Sequence, residues 1–160
     1  MTVITQLDTA TPQAPGAQIA QALTRVAADA AVLRLKVQAV RWHYAGPERR
    51  GLEDLLVERE GELTRLLNLA AARLRGLGFK VPASMADYRA QTGIAPDPAD
   101  AGPAQCLAEL SDDLRRVIEN CRSKHAMAAA VDATTAGRLA AQIRALETGA
   151  RLISAQADGA

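Results

Sequence analysis

Aromatic side chains are scarce in this sequence: Phe, Trp and Tyr together make up 2% of the residues, although 49% are hydrophobic. A core with so few rings must be built from Leu, Ile, Val and Ala, and the helix propensity of Leu and Ala favours close helix packing over a sheet. The composition therefore predicts an all-α fold. A chain of 160 residues is long enough for one domain with its own core and too short for two.

The sequence also lacks an excess of either positive or negative charge. The 19 basic and 18 acidic residues give a formal net charge of +1, so no global field attracts the chain to nucleic acid or to an anionic membrane. No apolar run reaches membrane-spanning length, and the N-terminus has neither the basic region nor the apolar run of a signal peptide. We therefore expect a cytoplasmic protein with no membrane partner.

Only two cysteines are present, Cys106 and Cys121. Both are predicted on one helix, where a rise of 1.5 Å per residue would separate them by about 22 Å. A disulfide requires Cα atoms within about 7 Å of each other. The two thiols are therefore not expected to pair within a subunit.

Hydrophobic periodicity predicts a single bundle over residues 17–157, preceded by a flexible tail over residues 1–16 that lacks apolar periodicity. In the first helix, apolar residues recur at alternating steps of four and three from Ile19 to Tyr44, and Gly46 follows its end.

The second helix is predicted from about residue 48 to 77, followed by a long connection rich in proline. Within that connection, Ser84 can cap a short helix that runs to Ala90. Two further long helices follow, centred on Leu114 and Leu146. Two long helices, a long crossover and two more long helices describe a ferritin-like four-helix bundle, with a short helix in the crossover between helices two and three.

Specific residues strengthen this interpretation. The segment that starts at Arg41 contains the end of the first helix and the start of the second; it reads RWHYAGPERRGLEDLLVEREGEL. The second helix closes with AARLRGLG, which starts at Ala71. This is similar to the Dps signature, in which a helix ends in His-Trp-Asn, a Gly follows shortly, and the next helix carries a His and then an acid four residues on. Trp42, Gly46 and the short helix at Ser84 fall in register. Over residues 17–155 the chain resembles the Dps-like branch of the ferritin superfamily.

The resemblance implies a site for two irons at a dimer interface, made from imidazoles and carboxylates, which are ligands that suit iron. In register, the two His positions hold Arg41 and Glu53, and the three acid positions hold Val57, Asn68 and Ala72. Only Glu53 is a strong iron ligand, and Arg41 places a permanent cation where iron should sit. The resemblance thus implies a degenerate ferroxidase site, and we expect an Arg41–Glu53 ion pair in place of the metal.

His43 occupies the family's Asn position, one residue past Trp42. Two interpretations of His43 stay open. It is either a displaced metal ligand or a helix-end histidine that makes an ordinary hydrogen bond.

Three acids, Asp54, Glu58 and Glu62, recur every four residues along the second helix and form a stripe. By the resemblance, such acids face the cavity of a shell and help to nucleate mineral; the alternative is a solvated face balanced by basic neighbours. Asp132, near the start of the last helix, is likewise either a helix N-cap, a role that Thr134 could also fill, or the acid of a pore.

Basic residues are lacking at both ends of the chain: the first is Arg25, and none follows Arg151. Non-specific DNA affinity depends on neutralising phosphates, so DNA binding through the termini is not expected. The resemblance implies instead a homo-oligomeric shell, a dodecamer.

The expected function is therefore a shell subunit for metal storage, metal buffering or stress protection that lacks the usual oxidase chemistry. Iron is a candidate cargo, and no resident cofactor is identified. Two alternatives remain: a structural or interaction shell protein that handles no metal, and a metal enzyme with a site rebuilt near His43 and Glu53.

Overall fold

The computed structural model describes residues 14–46, 49–95, 102–129 and 133–158. These segments form five helices and contain no β-strand, so the predicted all-α fold is confirmed. The helices are α1 (Ala14–His43), α2 (Arg49–Gly76), α3 (Met85–Gln91), α4 (Pro103–Ala129) and α5 (Ala133–Asp158). None of them is both long and apolar enough to cross a bilayer.

The four long helices pack as two hairpins side by side. Helix α1 packs on α2 and α4 packs on α5, while α1 also contacts α4 and α2 contacts α5. Along α1, Asp29 contacts Asn120 and Lys36 contacts Asp113, so α1 and α4 run in opposite directions. The crossover from α2 to α4 carries α3, which lies against α1. This is the predicted ferritin-like bundle with a short helix in its crossover.

The core is aliphatic along its whole length. Each buried leucine removed from water stabilises the fold by about 1.5–3 kcal/mol. Small side chains on α1, such as Ala20, Ala27 and Ala30, have no exposed surface and let the neighbouring helices approach closely. Only two aromatic residues, Tyr44 and Phe79, belong to the described core. The core therefore depends on close helix contacts and not on bulky rings.

The end of α2 is set by Gly78, whose φ of 80° lies in the left-handed region that favours glycine. Phe79 N donates to Leu74 O at 3.0 Å, and Gly78 N donates to Arg75 O at 3.0 Å. These two bonds form a Schellman motif, and the side chains of Leu74 and Phe79 are both buried beside it. Gly78 therefore ends α2 by this geometry, close to the predicted end at residue 77.

The predicted cap at Ser84 is also confirmed. Ser84 Oγ accepts from Asp87 N at 3.1 Å, and Asp87 Oδ2 accepts from Ser84 N at 3.2 Å. This reciprocal capping box lowers the pKa of Asp87, because both the hydroxyl and the backbone amide of Ser84 favour the charged carboxylate. Helix α3 thus begins at Met85.

Other boundaries differ from the predictions by a few residues. Helix α1 begins at Ala14, so residues 14–16 are helical and not part of a tail. Helix α5 begins at Ala133, so Thr134 lies inside the helix and the idea that it caps the helix is wrong. Both cysteines lie on α4 and form no disulfide with each other, as predicted.

Asp29 joins three parts of the fold. Its side chain is buried, with 3% of the residue exposed. Oδ1 accepts from Thr92 Oγ1 at 2.8 Å and from Gly93 N at 2.7 Å. Oδ2 accepts from Asn120 Nδ2 at 2.9 Å and from Arg25 Nε at 3.3 Å. One carboxylate on α1 therefore ties down both the end of the crossover and α4.

A second buried charge reinforces this link about two turns further along α1. Lys36 Nζ lies 2.5 Å from Asp113 Oδ2 on α4 and donates to Ala95 O at 3.0 Å. The Asp29 carboxylate also acts on Cys121: burial first, and then this negative charge, raise the pKa of the Cys121 thiol to about 12. Cys121 therefore stays a protonated core residue.

The largest fully buried side chain is an arginine, Arg59 on α2, which is 1% exposed. Its Nη1 donates to Ala145 O on α5 at 3.1 Å and lies 2.9 Å from Glu62 Oε2, while Nη2 lies 2.9 Å from Glu58 Oε2. The guanidinium fits against α5 only because position 149 is glycine: a Cβ there would lie 1.8 Å from Arg59 Nη1.

This contact reverses the usual effect of replacing a helical glycine. Gly149→Ala should lower the free energy of unfolding by about 1–3 kcal/mol, because the new methyl overlaps an enclosed guanidinium. The control is Gly137→Ala on the same helix, where a Cβ meets nothing within 4 Å. It should raise that free energy by up to about 1 kcal/mol. Urea unfolding followed by circular dichroism measures both, and an equal gain in both variants would contradict this account.

Candidate metal-binding site

The five positions expected to carry a degenerate site lie on the last turn of α1 and along α2. Arg41 is partly buried, whereas Glu53, Asn68 and Ala72 are exposed. Val57 is a large apolar side chain with 51% of its surface exposed, and nearby Trp42 on α1 is 59% exposed. Arg41, Glu53 and Val57 thus lie on the α1–α2 hairpin, whereas Asn68 and Ala72 lie further along α2, on the side that faces α5.

The expected Arg41–Glu53 ion pair is wrong within the subunit. Arg41 Nε instead donates to Oε1 of Glu60, two turns further along α2, at 2.7 Å. Both side chains are mostly buried, whereas Glu53 makes no hydrogen bond or ion pair with the described residues. The cation at position 41 is therefore neutralised by an acid that the resemblance did not single out.

The chemistry of the five side chains does not suit iron. In the described ranges, no three His, Cys, Asp or Glu side chains lie close enough together to hold a metal ion. Val57 and Ala72 offer no donor atom, Asn68 offers one neutral amide oxygen, and Arg41 repels cations. Of these five side chains only Glu53 offers a carboxylate, so the residues at these positions do not fit a two-iron centre.

His43 is exposed at the last position of α1. It forms no hydrogen bond or ion pair with the described residues, so neither a ligand cluster nor the ordinary hydrogen bond is formed there. The structure does not bring His43 and Glu53 into one site.

The acidic stripe on α2 is interrupted. Asp54 is exposed, and the side chain of Glu58 is 62% exposed although it contacts Arg59. Glu62 is buried against Arg59; its burial raises its pKa, and the positive charge of Arg59 opposes that shift. Glu62 is thus unavailable for mineral nucleation, and the accessible stripe consists of Asp54 and Glu58. Asp132, the candidate pore acid, lies outside the described residues.

Arg59 and Glu60 were missed at the sequence level for different reasons. Arg59 sits on the apolar seam, between Leu56 and Leu63 in the alternating four-three pattern of buried residues, so its place in the pattern marked it as buried. The position of Glu60 in the sequence pattern did not indicate that it is partly buried or that it pairs with Arg41. Its contact with Arg41 depends on how the two helices are rotated against each other, which periodicity leaves open.

Comparison with known proteins gives consistent matches. A model of the ferritin-like domain matches residues 20–159. Antigen TyF1 of Treponema pallidum subsp. pertenue is 40% identical over 79 residues, covering 49% of this chain and 45% of that protein. The match thus spans about half the length of that relative.

Solved structures align over nearly the whole chain. Antigen TpF1 from Treponema pallidum superposes with a TM-score of 0.82 at 30% identity, covering 91% of this chain and 96% of that one. A Dps protein from Vibrio cholerae O1, described as a member of a broad superfamily of ferritin-like diiron-carboxylate proteins, has a TM-score of 0.82 at 18% identity. That alignment covers 93% of this chain and 99% of that one, and it shows a shared fold.

The Arg41–Glu60 contact can be tested by a double-mutant cycle. Arg41→Ala and Glu60→Ala should show a coupling energy of about 1 kcal/mol in the free energy of unfolding, because each change leaves the other charge without its partner. The matched control is the Arg41→Ala and Glu53→Ala cycle, whose coupling should be near zero. Coupling to Glu53 and none to Glu60 would restore the original expectation.

Proposed function

Because the chain belongs to the ferritin-like family, in its Dps-like branch, we propose that it is the subunit of a homo-oligomeric shell that stores or buffers metal without the standard ferroxidase centre. The observation that carries this proposal is the replacement of the site: Arg41 pairs with Glu60, and Val57, Asn68 and Ala72 supply no carboxylate. The bundle that supports the shell is complete, while the chemistry at its usual iron-oxidising positions is not.

Exposed apolar side chains support assembly. Trp42 and Val57 expose about half or more of their surface beside the altered site, and Met85 and Leu152 are similarly exposed. Large apolar side chains in water are a cost that burial at a subunit interface removes. The proposed interface therefore covers the α1–α2 surface, and the proposed shell contains twelve subunits.

A storage role without an oxidase needs accessible acids. Asp54 and Glu58 are exposed on α2, one turn apart, and present carboxylate oxygens of the kind that iron binds. Iron oxidised elsewhere, or slowly in solution, could collect at such acids as cargo. The proposed setting is the cytoplasm, in protection against stress.

One alternative function is favoured by a specific observation. Since the described residues hold no cluster of three ligands, a shell that serves only as a structural or interaction protein would have the same subunit. The two functions differ in metal content after growth in iron-containing medium. The third idea, an enzyme rebuilt around His43 and Glu53, has less support because no contact brings these side chains together.

Assembly can be measured by light scattering on the purified protein. The wild-type chain should form a dodecamer at micromolar concentration. Val57→Arg should weaken that assembly, because a charge would replace an apolar contact at the proposed interface, while Val57→Ala should preserve it. A stable wild-type monomer under these conditions would exclude the shell.

Loss of the oxidase predicts slow uptake of oxygen when ferrous iron is added, at a rate that Glu53→Ala leaves unchanged. Restoring the two histidines, Arg41→His with Glu53→His, should not recover rapid oxidation because the acids are still missing. Adding Val57→Asp, Asn68→Asp and Ala72→Glu to these two changes should accelerate it. Rapid oxidation by the wild-type protein that Glu53→Ala abolishes would overturn the proposal.

A further inference from the structure

A cavity of about 350 Å³ opens between α2 and α5, beside two of the altered positions. Asn68 and Ala72 line it from α2, together with Arg65, and Arg138 and Gln142 line it from α5. The remaining wall is apolar, formed by Leu69 and Ala141. The cavity is therefore a concave site with a few polar groups that converge from two helices.

The charge of this cavity is positive. Arg65 and Arg138 both line it, and no carboxylate is among the lining residues; the Glu62 carboxylate on which the charge of Arg65 also acts is buried. Within the described part of the chain, neither guanidinium forms a hydrogen bond or an ion pair. Two guanidiniums with unused donors, together with the Asn68 amide, form a donor set that suits an oxyanion.

The same residues explain why a cation is excluded. A carboxylate at position 68 or 72 would neutralise the two arginines, but an amide and a methyl group stand there. The cavity therefore attracts anions at positions where the family resemblance implies metal ligands.

Gln142 indicates independently that a ligand of this cavity should carry a hydrogen-bond donor. Its Oε1 atom is buried and has no hydrogen-bond partner among the described residues, while the partly exposed side chain as a whole lines the cavity. A buried acceptor without a donor is costly, so a ligand that supplies a donor here gains affinity. Hydrogen phosphate carries oxygens that accept from arginine and a hydroxyl that donates to an amide oxygen. Sulfate has the same shape and charge range but no proton to donate at neutral pH.

We propose that the α2–α5 cavity binds inorganic phosphate, with Arg65, Arg138 and Asn68 donating to its oxygens and Gln142 Oε1 accepting from its hydroxyl. The preference for phosphate over sulfate comes from that last bond. This inference does not depend on metal storage, because it concerns the iron-free protein.

Isothermal titration calorimetry of the assembled, iron-free protein with inorganic phosphate and with sulfate tests the proposal. Phosphate should bind at one site per subunit, and sulfate should bind at least about tenfold more weakly, because it leaves Gln142 Oε1 unpaired. Arg138→Gln and Arg65→Gln should each weaken phosphate binding by at least about tenfold. The matched control is Arg144→Gln, an exposed arginine of the same helix outside the cavity, which should leave binding unchanged.

Gln142→Leu distinguishes anion binding by the two arginines from the preference for phosphate that Gln142 provides. It should lower the affinity for phosphate to that for sulfate. The affinity for sulfate should not change, and this result would show that the cavity is intact. Equal binding of both anions by the wild-type protein would overturn the assigned role of Gln142. No phosphate binding, or phosphate binding that Arg138→Gln and Arg65→Gln do not change, would overturn the site. Iron content is measured separately, so the result is independent of the storage proposal.

Discussion

The arrangement of this bundle depends on the buried carboxylate of Asp29. A long crossover between two helical hairpins has many ways to run, and aliphatic packing alone does not select one of them. Asp29 removes that freedom because its two oxygens accept from the end of the crossover, from α4 and from its own helix. Leaving any of these donors unpaired in the interior would cost stability, so the second hairpin is held in one register against the first.

Much of the fold was predictable because it depends on local rules. The four-three spacing of leucines located the long helices, Gly78 has the positive φ that ends α2, and Ser84 formed the expected capping box. The hydrogen bonds that Asp29 accepts from outside its own helix were not predictable, because those donors stand 63 to 91 residues away. Contacts at such separations depend on tertiary packing, which one sequence without comparisons leaves undetermined.

The candidate site shows the same division. The sequence identified which ligand types are missing, because that conclusion depends on residue identity in register. It did not identify Glu60 as the partner of Arg41 within the subunit, and it expected Glu62 in an accessible stripe, because both conclusions depend on side-chain direction. The rotation of α2 places Glu60 beside α1 and turns Glu62 towards Arg59 in the core. Acids two residues apart on one helix thus lie on different faces and have quite different roles.

The fit between Arg59 and Gly149 also constrains the history of the sequence. With the guanidinium in place, any side chain at position 149 collides with it, so that glycine is replaceable only after Arg59 has become smaller. Once a larger residue occupied position 149, the return to arginine would in turn be blocked. The two positions on α2 and α5 therefore form an epistatic pair, in which the order of substitutions determines the routes open to related sequences.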